Sequence, residues 1–262
     1  MNNKELLYPD LSYSIIGSAM DVHNELGPGW NEWDYHRAMI ESLSSKGHAV
    51  MSHDCKGVIH REKVVDRFEL DILVDDLVIL ELKHIKTNFH SIHYTQIINY
   101  LKSWEKRLGI LVNYGLETLR YNRVPYTPVQ GEIKFEGMWV RIAEQLPCCH
   151  VICSAIEYLL GTHGIGYGID VFKKLLFSEL QCRELDPMIP RVAPRCGVLS
   201  FEEREIDALC VGSKLLLLTT ASGAGTSAAD LASLKSYMNQ MHIPYGVLVN
   251  LGKSSIQLRG VL

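Results

Sequence analysis

The 262 residues predict an α/β architecture, a mixed sheet flanked by helices, present twice in tandem. Three observations point there. The chain repeats itself: LGILVNYGLETLRYNRV, residues 108–124, recurs as YGVLVNLGKSSIQLRGV, residues 245–261, at a constant offset of 137 residues. Gly27-Pro28-Gly29 recurs as Gly164-Ile165-Gly166, Tyr35 falls on Phe172, and Glu69-Leu70-Asp71 recurs at nearly the same offset as Glu205-Ile206-Asp207. Each half also reads helix, helix, strands, helix, strand, the order of a layered mixed-sheet domain. Finally, each copy spans about 115 residues, an ordinary size for one hydrophobic core.

The first copy can be justified element by element. Pro9-Asp10-Leu11-Ser12 offers a helix start, and residues 13–26 place Ile15, Ile16, Ala19, Met20, Val22 and Leu26 at helical spacing. Gly27-Pro28-Gly29 ends that helix. A second runs from 31 to 46, with Glu32, Tyr35 and Met39 on one face by steps of three and four, and Gly47 stops it. Strands are expected at 58–60, 65–74 and 77–83, a helix at 94–106, a buried strand at 109–114 and a last strand near 118–123. The domain boundaries follow as 1–124, a linker at 125–147 whose apolar 133–142 could dock as an added strand or helix start, and 148–262. The second copy repeats the order with helices at 151–160 and 169–180, a hairpin at 203–219, a helix at 229–241 and a buried strand at 246–250.

Composition narrows the function classes. Hydrophobic content of 47% with 21% charged residues fits a globular domain, and no apolar run approaches the roughly 20 residues of a membrane span. A net charge of −4 argues against nonspecific coating of nucleic acid and leaves room for a local basic groove. Seven cysteines match no zinc spacing and read as free or buried thiols. With no basic-then-apolar leader at the N-terminus, a cytoplasmic protein is expected.

The segment RFELDILVDDLVILELK, residues 67–83, carries the chemistry. Glu81 and Lys83 stand two apart on one strand and share a face. A two-residue turn at Asp75-Asp76 would pair Asp71 with Leu80 and send Glu81 to the other face. A three-residue loop centred on Asp76 would put Asp71, Glu81 and Lys83 together. Gly212 near that position of the second copy favours the longer loop. Paired carboxylates repel unless a cation lies between them, and oxygen-only ligands suit Mg²⁺ or Mn²⁺. A lysine beside such a metal can position water and stabilise charge on a phosphate. Glu-x-Lys at a strand end is commonly a solvated edge, but Glu81 follows Leu77-Val78-Ile79-Leu80, an interior-type run.

The repeat supplies an internal control. At the offset of 136 or 137, Glu81 falls on leucine, Lys83 on threonine, Glu32 on Ile169 and Gln96 on Ser233. Asp71 alone has an acidic counterpart, Asp207, expected to find a hydrogen-bond donor or a basic neighbour such as Arg204. The second copy is therefore expected to be structural, without a metal site.

Gly29-Trp30-Asn31-Glu32-Trp33-Asp34-Tyr35 is a literal G-x-x-E-x-x-Y. It precedes Asp71, Glu81-Leu82-Lys83, Gln96-Ile97-Ile98-Asn99-Tyr100 and Gly109-Ile110-Leu111-Val112-Asn113. This ordered set resembles the GxxExxY family of the PD-(D/E)XK nuclease superfamily and covers residues 5–124. The resemblance implies a restriction-endonuclease-like core and a Mg²⁺-dependent phosphodiesterase site, but the substrate is not inherited from it; the expected partner is nucleic acid, with DNA ahead of RNA, and the expected cofactor Mg²⁺ or Mn²⁺. Asp71 and Glu81 would bind metal, assisted by the Leu82 carbonyl. Lys83 would orient water, Glu32 would complete the metal shell, and Gln96 with Tyr100 would line the site. The competing class is a catalytically silent nucleic-acid- or protein-binding module on the same fold. The two copies are expected to pack as an internal pseudo-dimer, the chain itself remaining monomeric.

Other residues take blander readings. Trp30 and Trp33 could stack on bases, but packing between the first two helices is the expectation. His84, His90 and His93 read as solvated loop residues. Lys86, Lys102, Lys106 and Arg107 could track phosphates or be simply solvated. Ser222 to Ser227 lacks the lysine and spacing of a phosphate loop and reads as a flexible replacement for the site-proximal loop.

Overall fold

Residues 6–262 are described by a computed structural model, and they divide between Thr127 and Pro128 into two units. The first contains α1 (Pro9–Leu26), α2 (Glu32–Ser45), β1 (Val50–Ser52), β2 (Cys55–His60), β3 (Lys63–Glu69), β4 (Ile72–Val74), β5 (Val78–Lys83), α3 (Ser91–Ser103), β6 (Leu108–Asn113) and β7 (Arg120–Pro125). Its main sheet has the order β1-β4-β5-β6-β7, parallel only between β5 and β6. The central strands are apolar along almost their whole length because helices cover both faces. Ile15, Tyr35, Met39 and Leu43 of α1 and α2 pack with Leu80 and Leu82 on one face. Ile97, Tyr100 and Leu101 of α3 pack with Leu73 and Ile79 on the other.

Local chemistry sets the helix ends. Proline in the first turn starts α1, and Gly27 at φ 67° stops it. Asn31 caps α2, its side chain accepting from the Asp34 N–H at 3.0 Å. The Tyr35 hydroxyl donates to the Gly27 carbonyl (2.7 Å), and its ring stacks on Tyr114 at 4.5 Å. The tyrosine of the G-x-x-E-x-x-Y stretch is thus a clasp for the turn ahead of it.

The loop from Asp75 to Leu77 decides the register. Both aspartates have positive φ (51° and 55°), and Val74 pairs with Val78 across three residues. The longer-loop alternative is the one adopted. Asp75 is held by the Ala49 N–H (2.8 Å) and by His48 (2.7 Å), whose other ring nitrogen meets Ser14 Oγ at 2.7 Å.

One expectation needs correcting in this unit. Residues 65–74 do not form one strand: β3 pairs with β2 as a separate ribbon, and the chain changes sheet between Glu69 and Ile72. The Asp71 carbonyl is held there by His36 Nε2 (3.0 Å) and by the His53 N–H (3.3 Å).

The second unit contains β8 (Glu132–Gly137), α4 (Trp139–Gln145), α5 (Cys148–His163), α6 (Ile169–Cys182), β9 (Pro187–Met188), β10 (Arg191–Val192), β11 (Arg195–Cys196), β12 (Leu199–Ser200), β13 (Arg204–Glu205), β14 (Leu209–Val211), β15 (Leu215–Thr220), α7 (Ala228–Met241), β16 (Tyr245–Leu251) and β17 (Ser255–Val261). Its main sheet runs β8-β17-β16-β15-β14-β9, with β15 and β16 parallel. The segment 125–147 is therefore more than a linker: β8 pairs in parallel with β17 along its full length, and α4 follows it with Trp139 and Ile142 buried. Among the described residues no helix is long and apolar enough to cross a membrane.

Residues shared by the two halves of the sequence do matching work. Asn113 holds the segment after β5 through Ile85 and Thr87, and Asn250 holds the segment after β15 through Ser222. A Cβ on Gly109 would stand 2.4 Å from Ile97, and one on Gly246 would stand 2.4 Å from Met238. In both places a helix needs a bare backbone to approach the sheet.

Candidate active site

The three-residue loop places Asp71 one position beyond the Ile72–Leu80 pair, across from Glu81. Alternation along β5 then puts Glu81 and Lys83 on the face covered by α3, with Ile79. Asp71 Oδ2 accepts the Leu82 N–H at 2.7 Å. Glu81 is fully buried; its Oε1 accepts from Lys83 Nζ, and its Oε2 has no partner. Burial pushes the Glu81 carboxyl up to about 8, Asp71 adds to the rise, and Lys83 opposes it. Burial likewise raises Asp71, against the Leu82 N–H and the Lys83 charge. Lys83 is half-buried, which alone would lower it, but Glu81 and Asp71 hold it above the ordinary lysine value.

Gln96 and Tyr100 lie one turn apart on α3, the amide donating to the phenol oxygen at 2.9 Å. Burial first and the Glu81 charge second push Tyr100 up to about 12, so it stays a phenol at neutral pH. Glu32 begins α2 and is exposed. Its negative charge reaches both Glu81 and Lys83, yet it does not close with Asp71 and Glu81 into a ligand cluster. Among the described residues, no three His, Cys, Asp or Glu side chains gather around one point.

Two carboxylates still fit a divalent cation. Mg²⁺ retains several waters and needs only one or two carboxylates from the protein. A buried carboxylate oxygen without a partner, facing a second carboxylate, is the arrangement that such an ion would satisfy.

His36 and His53 were missing from the sequence reading. Both hold the Asp71 backbone, and their rings lie 4.5 Å apart. The only signal was the four-residue step from Glu32 to His36, which puts both on one helix face. Of the other histidines, His90 caps α3 in a reciprocal pair with His93, and His84 lies against Tyr35. Burial, then Lys83, pushes His93 down. Of the lysines that could track phosphates or be solvated, Lys106 pairs with Asp76 at the far end of β5, and Lys102 is half-buried. Trp30 and Trp33 are 54% and 55% exposed: Trp30 Nε1 donates to the Leu26 carbonyl at the end of α1 (2.8 Å), whereas Trp33 lies against His36 and His53 rather than α1.

In the second unit Val211 pairs with Leu215 across a three-residue loop, as Val74 pairs with Val78. Counting back along that register, Ala208, Leu218 and Thr220 hold the positions of Asp71, Glu81 and Lys83. Asp207 is displaced from the Asp71 position by one residue. It has the basic neighbour expected of it, Lys173 rather than the suggested Arg204. Ile169 begins α6 where Glu32 begins α2.

The site is thus a strand carrying Glu-x-Lys, faced by an aspartate just ahead of the preceding strand and covered by a helix with Gln and Tyr. Residues 9–124 match the family described as the PD-(D/E)XK nuclease superfamily. No curated protein and no solved structure matches the chain.

Proposed function

We propose that the first unit is a metal-dependent nuclease of the GxxExxY type, hydrolysing phosphodiester bonds of DNA in preference to RNA, and that the second unit is a duplicated copy without a site. The observation that carries this is the buried Glu81 with one unpartnered oxygen, set across from Asp71 and paired with Lys83. A carboxyl group buried in an apolar sheet with one oxygen unpartnered is costly even beside a lysine, and a chemical role explains its retention. The duplication is supported by the matching registers of β4–β5 and β14–β15 and by the paired asparagines and glycines.

Asp71 and Glu81 would hold Mg²⁺ or Mn²⁺, with the Leu82 carbonyl as a further oxygen ligand. The bound ion supplies Lewis acidity and a more acidic water. Lys83 orients the attacking water and counters the negative charge that grows on the phosphate. Tyr100, kept protonated, and Gln96 present hydrogen-bond donors along the α3 wall. Glu32 acts at longer range, through its charge on Glu81 and Lys83. The free cysteines support a reducing compartment such as the cytoplasm.

The test is cleavage of labelled DNA and RNA by the full chain with Mg²⁺, with Mn²⁺ and with chelator, beside Glu81→Ala and Lys83→Ala. Metal-dependent products that both substitutions remove are expected. Identical behaviour of wild type and variants on every substrate would leave only the silent binding module.

A further inference from the structure

Trp33 is an exposed aromatic residue in a helix whose buried positions are Tyr35, His36, Met39 and Leu43. Hydrophobic packing does not explain it. One face of its indole lies nearly parallel on the His36 ring, at 5.4 Å and 12°, and His53 tilts against it at 5.5 Å. Those two histidines hold the backbone of Asp71, through the His36 ring and the His53 N–H. An exposed indole, rigidly backed by imidazole, is therefore anchored to the residue that carries one of the two site carboxylates. Trp33 is also the immediate neighbour of Glu32.

The second unit sharpens the reading. Tyr35, the clasp, keeps an aromatic counterpart in Phe172, which is also buried. At the offset of 137, Trp33 falls on Asp170, His36 on Lys173 and His53 on Pro190. Asp170 and Lys173 form an ion pair at 3.3 Å. The architectural aromatic is kept where the site is lost, and the exposed aromatic stack is lost with the site.

We propose that Trp33, backed by His36 and His53, is a stacking platform for an unpaired nucleobase beside the scissile phosphate. The substrate class is then nucleic acid with unpaired nucleotides, such as single strands, flaps and bulges, in preference to continuous duplex. This rests on the nuclease reading above. Base stacking on an aromatic side chain is sequence-tolerant and contributes about 1–3 kcal/mol per base. Inside an intact duplex both faces of a base are already stacked, and extruding one costs a few kcal/mol.

The experiment compares kcat/KM of the full chain with Mn²⁺ on a single strand, a flapped duplex and a fully paired duplex of the same sequence, for wild type, Trp33→Ala and Trp33→Phe. Wild type should favour the unpaired substrates. Trp33→Ala should lower kcat/KM on them by at least about tenfold, chiefly through KM, and remove most of that preference. Trp33→Phe should restore most of it, which a merely structural defect would not do. An equal fall on all three substrates, or no fall, overturns the proposal. A second arm uses oligothymidylate with chelator present, reading quenching of indole fluorescence. If wild type cleaves nothing with any metal, the nuclease reading fails; the platform then stands if Trp33→Ala abolishes the quenching and falls if quenching is unchanged.

Discussion

Strand β5 ends Leu80-Glu81-Leu82-Lys83, and strand β15 ends Leu217-Leu218-Thr219-Thr220. Each pairs antiparallel with a three-residue strand before it and parallel with a largely apolar strand after it. Each is followed by a segment tied down by an asparagine. The sheet therefore forms equally well with leucine and threonine where the first unit buries a carboxylate and an amine. The difference teaches that Glu81 and Lys83 are dispensable to the architecture and work against it, since desolvating charge is expensive even when it is paired. What the first unit keeps at that cost is the candidate site.

The largest effect should come from removing the charges. Glu81→Ala or Lys83→Ala should lower metal-dependent cleavage by at least about a hundredfold, measured as kcat on a saturating substrate. The mirror substitution, Leu218→Ala, should leave cleavage per folded molecule unchanged and cost about 2–5 kcal/mol of stability in denaturant unfolding. If Leu218→Ala weakened catalysis as much as Glu81→Ala, the contrast between the units would collapse.

Giving the first unit the residues of the second is the next test. Glu81→Leu with Lys83→Thr should abolish cleavage yet leave metal-free stability unchanged or raised, by up to about 1–4 kcal/mol, as when buried ion pairs are replaced by apolar side chains. A large loss of stability would show that the pair serves the fold.

The pH dependence follows from Glu81. Its carboxyl is pushed up to about 8 in the folded protein, against an ordinary value of 4.5, so the folded state binds its proton more tightly than the unfolded chain. Metal-free stability should accordingly fall as pH rises from 4.5 through 8, and Glu81→Gln should flatten that slope. Mn²⁺ binding should strengthen over the same range and release protons, because the ion needs the ionised carboxylate. A flat Tm from pH 5 to 8 in metal-free wild type would contradict the burial argument.

The smallest effect concerns the turn. Burial would raise Asp75, but its bonds to His48 and Ala49 dominate and hold its carboxyl below 3.8. Its contribution to stability is present at neutral pH and is lost as pH falls below that value. Asp75→Asn should thus lower Tm slightly at pH 7, the difference closing as pH falls below 3.8.

Much of this was legible in the sequence. The helices and the buried strands rest on periodicity, which burial enforces directly. The pairing of Asp71 with Glu81 hung on one loop length, and Gly212 pointed correctly to the three-residue form. The break between β3 and β4 was hidden, because the apolar and polar residues from 65 to 74 continue without a turn signal while His36 and His53 grip the Asp71 carbonyl from distant parts of the chain. The exposure of Trp33 was hidden for a related reason: a tryptophan at helical spacing looks like core until its neighbours are known. The strand β8 was partly visible as an apolar stretch, but its partner β17 lies more than a hundred residues away.

The most direct test of one working site beside one empty copy is a calorimetric titration of the full chain with Mn²⁺. One ion per chain is expected, with binding lost in Asp71→Asn and Glu81→Gln and retained in Asp207→Asn. Two ions per chain, or binding that survives Glu81→Gln and disappears with Asp207→Asn, would contradict the account.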